Sequence, residues 1–498
     1  MSSPIADSCW NAASRPAPFP PLDRDLEVDV CIVGGGMAGI TAAALLRRRG
    51  KSVAVLEARQ IGAQVTGRSN AKITALHGLI YDQMIRAYGR DDAQAYADAQ
   101  RAAMDRIAAF VHEREIACGY ETVPAVTITR DPARAAEIEA EAEAARSLGL
   151  SAARIDTAGD QPYDIAAGVR VNDQAQFNPV PYLRSLAEEA DANGGHVHQE
   201  TRVTGIDEGE PSVVTTAGGH SVRAADVIIA TNLPIVDPGH FHHKASPRGH
   251  AVVAVPVPAE MAPEGMYLCV DAPTHSLRSA PWEGGQRLLI CVGESLPVGK
   301  VRDTEAVFQG LETFVRNTFG TGPMAYRWMN EDFDAQDRIP FVGPAGRDCR
   351  HLWTATGFSS WGITHGTVAG MILADRLTGA ENPFAVLYDS LREPREWPGG
   401  AHPPMREAED VPQPDRPEDL TPGQGAVFRI DDEDVAVHCD AGGVLHAVSA
   451  TCTHEGCPVT WNNGERTWDC SCHGSIFAAD GSVIHGPAMV GLSPREVK

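Results

Sequence analysis

The 498-residue sequence predicts an α/β domain with a mixed β-sheet region, followed by a linker and a small all-β domain. Three observations carry this. Two short apolar runs near the N-terminus, Val28–Val33 and Ser52–Leu56, flank a glycine-rich turn and the helix-like stretch Ile40–Arg49, the pattern of a βαβ unit. Residues from about Trp397 to Gln424 are crowded with Pro, Gly, Glu and Asp, the composition of a linker. The last ~75 residues hold short strand-like runs and too few aliphatics for a large core, so a metal centre is expected to support them. The domains are therefore expected at 1–395 and 425–498, with the linker at 396–424.

Composition narrows the function. Lys plus Arg is 42 and Asp plus Glu is 66, a formal charge of −24 that repels phosphate backbones and anionic lipid. Neither nucleic acid nor membrane is an expected partner. The sequence has no run of ~18 apolar residues, and its first residues lack the basic and apolar segments of a secretory signal, so a cytoplasmic location is expected. Seven of the 11 cysteines (Cys9, Cys31, Cys118, Cys269, Cys291, Cys349 and Cys439) are scattered singly and read as small core hydrophobes.

Along the chain, Asp91–Leu148 is rich in Ala, Glu and Arg and reads as helices with a break near Cys118–Thr129. Pro181–Asn193 is a further amphipathic helix. Val197–Ile206, Ser212–Thr216, Val227–Ala230, Val252–Val257 and Arg287–Val292 read as strands of a mixed region. Gly362–Thr378 reads as a helix entered through the turn Gly357–Trp361.

Gly34-x-Gly36-x-x-Gly39 follows a strand pattern and opens a helix pattern, and Glu57 ends the next strand. Gly34 permits the tight turn, Gly36 lets the backbone approach a pyrophosphate, Gly39 lets helix pack on strand, and the helix N-terminus stabilises the anion. Glu57 can accept hydrogen bonds from ribose hydroxyls and disfavours a 2′-phosphate. A second such motif in a strand–turn–helix context is missing, so one dinucleotide is expected.

With Ala225–Asn232 and Trp353–Gly357 further on, residues of about 20–390 resemble the two-dinucleotide-fold flavoproteins, and more narrowly the D-amino acid oxidase superfamily with its glycine and sarcosine oxidases. The resemblance implies FAD as cofactor and an amine or amino acid as substrate. It also implies that Gln176–Pro179 introduces a helix and that Val203 touches the adenine through its backbone. Asp337–Gly343 would precede a final flavin loop at Gly357–Thr364, with Gly357, Trp361, Gly362 and Ile363 beside the flavin. In these oxidases the stretch corresponding to Thr66–Thr74 runs past the pyrophosphate and ring edge, which places Gly67 and Arg68 at the cofactor. Lys72 would then neighbour the ring, stabilising negative charge or activating dioxygen. Arg278 is a candidate clamp for a substrate carboxylate. His365, next to the flavin loop, reads as a core or capping histidine.

Cys452-x-His454 and, after fifteen intervening residues, Cys470-x-x-His473 present paired thiolates and imidazoles. By spacing alone they could hold tetrahedral zinc. The longer strings Cys452–Cys457 and Cys470–Ser475 resemble the two cluster-binding loops of Rieske [2Fe–2S] proteins. That resemblance implies Cys452 and Cys470 on one iron and His454 and His473 on the other. It also implies a disulfide between Cys457 and Cys472, and a covering loop at Gly486–Ala488. Ser475 matches the hydroxyl that bonds a bridging sulfide in respiratory members. Phe477 stands where those have Tyr, which predicts a lower potential and argues against quinol oxidation.

Together the resemblances imply hydride transfer from the substrate α-carbon to flavin N5 and hydrolysis of the resulting imine. Electrons then leave singly through the cluster to an external one-electron carrier or dioxygen. The rival readings are a ferredoxin-fed flavoenzyme running the other way, and a redox-sensing protein that does not turn over.

Overall fold

The computed structural model describes residues 4–14, 19–159, 164–192, 194–301, 303–398 and 413–496. The expected βαβ unit forms: strand Leu26–Val33, helix Met37–Arg48 and strand Val53–Leu56, with Val30 opposite Val53 and Val33 opposite Leu56. Strand Leu26–Val33 also pairs in parallel with Ser221–Ile229, at the centre of an eight-stranded sheet. Its last residues are buried on both sides, the usual state of a central parallel strand. Val30 and Ile32 enter the core under helix Met37–Arg48, while Cys31 and Val33 pack with Val203, Ile206 and Val214 of a flanking hairpin.

Helix Gly362–Leu377 lies against helix Met37–Arg48 at close range. Glycines allow it. A Cβ on Gly366 would sit 3.0 Å from Met37 Cβ, and one on Gly370 would sit 2.7 Å from Thr41 Cβ.

A second, nine-stranded sheet runs in the order 326–335, 245–257, 287–297, 275–281, 266–269, 121–129, 167–176, 72–73, with 152–155 added beside 167–176. It is mixed: Met266–Cys269 pairs with Glu121–Thr129 in parallel, and its other pairs are antiparallel. The expected helical break near 118–129 is thus strand Glu121–Thr129, whose Val, Thr and Ile favour a pleated surface. Expected strand Val197–Ile206 divides into His196–His198 and Val203–Asp207. The turn between them is held where Thr201 N–H donates to Glu57 O and Ile61 N–H to Gln199 Oε1. Helix Pro179–Asp191 starts after Asn178, whose side chain accepts from Val180 N–H.

The C-terminal region forms two four-stranded antiparallel sheets, 425–430 with 433–439, 445–449 and 494–495, and 459–462 with 467–470, 476–478 and 483–485. Of the expected linker, 399–412 lies outside the described residues, and Leu420 packs with Ala426, Phe428 and Val437. Among the scattered cysteines, Cys9, Cys31, Cys118, Cys269, Cys291 and Cys439 are buried and Cys349 is half-buried.

Gly370→Leu should force the two helices apart and lower stability by about 1–3 kcal/mol, read by denaturant unfolding of the full chain. Unchanged stability would show that this contact is not a close-packed one.

Candidate functional site

A cleft of about 1360 Å³, its open mouth included, runs across the C-terminal edge of the parallel sheet, where open α/β sheets bind ligands. Gly34–Gly36, Glu57, Val203, Thr231 and Asn232 line one part of it, and Lys72, Asn330, Asp332, Ser360, Trp361, Gly362 and Ile363 another. Gly34 is left-handed at φ 111°, and a Cβ there or at Gly39 would overlap a carbonyl oxygen. Gly36 differs. The nearest atom to a Cβ there is Thr66 Oγ1 at 3.5 Å, so packing does not demand glycine, and its open surface faces the cleft where a pyrophosphate would approach. Glu57 accepts from Gly35 N–H at 2.7 Å and Arg59 N–H at 2.8 Å, while burial pushes its carboxyl up from the usual range.

The turn at the far end is held from the second sheet. Ser359 and Ser360 have φ of 53° and 68°, strained for serine. Ser360 N–H donates to Asp332 Oδ2 at 2.7 Å, and Ser359 N–H to Phe333 O at 3.0 Å. Burial raises the Asp332 carboxyl to about 7. Lys72 is buried and donates from Nζ to Tyr267 O at 2.9 Å and Ser276 Oγ at 2.7 Å. Burial first, and the Arg278 charge second, lower it to about 7. His365 is buried beside Tyr96 and Gln100, the core histidine the sequence implies.

Four expected positions differ. Arg278 is buried away from the cleft, with its guanidinium donating to the carbonyls of Asn70, Ala71, Phe177 and Ser279 and lying over the Trp10 ring. It staples the Lys72 segment and does not clamp a substrate. Arg68 points to the C-terminal domain, donating to Met329 O at 3.0 Å and Glu465 Oε2 at 3.1 Å. Gly67 does not line the cleft and serves packing, since a Cβ would overlap Gly62 O. Gly357, at φ 76°, makes the turn without lining the cleft.

In the C-terminal domain two loops face each other. Cys457 and Cys472 form the expected disulfide across them. His454 Nδ1 and His473 Nδ1 approach to 3.2 Å, and the Cys452 and Cys470 thiols share a hydrogen bond that lowers the first and raises the second. Two thiols and two imidazole nitrogens converging from opposite loops fit a two-iron cluster. The disulfide sulfurs lie within 4.8 Å of Cys470 Sγ but, bonded to each other, offer no thiolate. Ser475 is buried at the loops, and its Oγ accepts from Ala488 N–H at 3.0 Å.

The two sites adjoin. Ile484, His485 and Gly486 of the C-terminal domain line the same cleft as Gly34–Gly36. Gln64 Nε2 donates to Ile484 O at 3.3 Å, Arg202 to Val483 O at 2.9 Å, and Gly464 N–H to Thr304 Oγ1 at 2.9 Å. His242, paired with Asp237 at 2.7 Å, lays its ring 5.0 Å from that of His473. Sequence reasoning missed Asn232, His242, Asn330, Asp332 and His485. Asn232 lay in the Ala225–Asn232 motif and His242 in the His240–His243 cluster, but neither was read as a site residue; the others carried no local signal.

The FAD dependent oxidoreductase family model matches residues 29–376, and the Rieske [2Fe-2S] domain model matches 413–494. The chain belongs to the FAD-dependent oxidoreductases and carries a Rieske domain. This oxidoreductase binds FAD and a [2Fe–2S] cluster. It is 33% identical, over 97% of its length and 96% of the relative's, to "Putative Rieske 2Fe-2S iron-sulfur protein YhfW" of Bacillus subtilis (strain 168). It is 25% identical to gamma-glutamylputrescine oxidoreductase of Escherichia coli (strain K12), covering 78% of this chain and 92% of that one. Among solved structures, glycine oxidase from Geobacillus kaustophilus shares the fold at TM-score 0.61 and 19% identity, over 74% of this chain and 99% of that one. Among the described residues, no helix of the oxidoreductase is long and apolar enough to cross a membrane.

Arg68→Met should loosen the contact between the FAD domain and the Rieske domain, lowering stability by about 1–3 kcal/mol. A double-mutant cycle with Glu465→Gln checks this. Additive effects would show that the pair is not coupled.

Proposed function

We propose that the protein oxidises an amine or amino acid at the FAD and passes the electrons singly through the Rieske cluster to an external one-electron carrier or dioxygen, in the cytoplasm. The observation that carries this reading is the shared cleft, which Ile484–Gly486 of the Rieske domain line together with the glycine turn. The names of two relatives, a gamma-glutamylputrescine oxidoreductase and a glycine oxidase, favour an amino substrate. When bound, FAD supplies a two-electron acceptor and the cluster a one-electron one.

The residues divide the work. Gly34, Gly36 and Gly39 would bring the helix N-terminus to the FAD pyrophosphate, Glu57 would take the ribose, and Val203 would meet the adenine. Trp361, Gly362 and Ile363, at a second helix N-terminus lining the cleft, would hold the flavin ring. Cys452, Cys470, His454 and His473 hold the cluster. Asp332, whose carboxyl burial raises to about 7, holds a proton beside the ring end of the cleft below that pH, and only as the carboxylate above it could it accept one from a substrate amine. Lys72 is a cation below about pH 7 and a free amine above it. As a cation it stabilises negative charge at the ring end.

Anaerobic stopped-flow mixing with a panel of amines should bleach the flavin and then produce the reduced-cluster EPR signal. Bleaching by a reduced ferredoxin alone would reverse the direction of electron flow, and bleaching by neither would favour a sensor. Cys452→Ser should abolish the cluster EPR signal and leave the flavin spectrum in place; a retained signal would remove Cys452 from the ligand set. Lys72→Met should slow flavin reduction or its reoxidation by about 10²-fold below pH 7. The wild-type rate should fall as pH rises through about 7 and the cation is lost; this limb should be missing from the variant's profile, and its persistence would clear Lys72 of the role.

A further inference from the structure

His485 belongs to the Rieske domain by sequence and to the FAD cleft by position. It ends strand Val483–His485, one residue before the covering loop Gly486–Ala488, and it is buried, with 7% of its surface exposed. Its Nδ1 lies 3.4 Å from Gly474 O, the carbonyl that follows His473 in the cluster loop, and Gly474 N–H donates to Cys470 O at 3.0 Å. Its Nε2 lies 3.5 Å from Asn232 Nδ2, on the turn that lines the cleft. The Phe333 ring stacks beside it at 6.2 Å.

These neighbours settle the tautomer. A carbonyl oxygen can only accept, so the ring proton sits on Nδ1 and Nε2 carries the lone pair. Burial lowers the imidazole to about 4, so it is neutral at ordinary pH. A single neutral ring therefore donates toward the cluster loop and turns its one lone pair to the cleft, where the long 3.5 Å contact from Asn232 Nδ2 leaves it for an FAD hydroxyl to take over as the closer donor.

We propose that His485 is a shared residue of the two cofactor sites, accepting a hydrogen bond from bound FAD at Nε2 while its Nδ1–H holds the cluster loop at Gly474. FAD binding is then felt at the cluster, and by linkage the cluster's oxidation state alters FAD affinity by the same factor. His485 is a positioning residue for the cluster and a binding residue for FAD. The inference needs both cofactors but is independent of the substrate and of the direction of electron flow.

The test uses the full chain with its cluster, loaded with FAD or depleted of it, and reads FAD affinity by fluorescence titration and the dithionite-reduced cluster by EPR. In the wild type, removing FAD should shift the cluster g-values, and reloading should restore them. His485→Phe should weaken FAD binding about three- to tenfold and abolish the shift, and His485→Gln, which keeps a donor and an acceptor, should recover part of both. A wild-type EPR spectrum indifferent to FAD overturns the proposal without any variant, including where His485→Phe does not fold. Wild-type FAD affinity in His485→Phe overturns it as well.

Discussion

The polar seam between the two domains is the constraint on which the rest depends. Strand Val483–His485 is the edge of its sheet, and an uncovered edge exposes backbone groups that need partners. Here the FAD domain supplies them, with Arg202 and Gln64 donating to the Val483 and Ile484 carbonyls. Thr304 meets Asn462 and Gly464 farther along, and Arg68 meets Glu465. Each contact buries polar groups, so a shift of the small domain would leave several of them unpaired at once, at about 1–3 kcal/mol each. The seam thereby holds the FAD cleft and the cluster loops in one arrangement.

One strand of the second sheet connects the sites through its alternation. Successive residues of Tyr326–Ala335 point to opposite faces. Asn330 and Asp332 line the cleft, and Asp332 anchors the Ser360 turn. Glu331 faces the charges of Arg68, Glu465 and Asp469, and Phe333 lies against Gly474 and His485. Burial pushes the Glu331 carboxyl up to about 8, so it enters the seam protonated at neutral pH and avoids an uncompensated charge beside Glu465. A single change of register in this strand would exchange the groups offered to the two sites.

What could be read from the sequence was what is local in it. The Gly34–Gly39 turn and the Cys452 and Cys470 loops are contiguous, and each residue type there is dictated by backbone approach or by donor chemistry, so the cofactors and much of the fold were legible. Arg278 was not. It shares a strand face with Ser276, which does reach Lys72, but its longer side chain passes under Asn70 and Ala71 to backbone carbonyls. Sequence alternation reports the face of a side chain and not what its end finds. Arg68 failed for the same reason, since its partner Glu465 lies 397 residues away. Asn232 ends a motif that the sequence does show, but its partner His485 lies 253 residues away and no local pattern joins the two.

The orientation of the cluster loops follows from the same seam. The His454 and His473 rings turn toward the FAD domain, where His242 packs edge-on against both and is held by Asp237. Thr453, Glu455, Gly456 and Cys472 of the same loops are exposed. The chain's own 237–243 turn stands against the two rings. The histidine side of the cluster loops is therefore turned to the FAD domain.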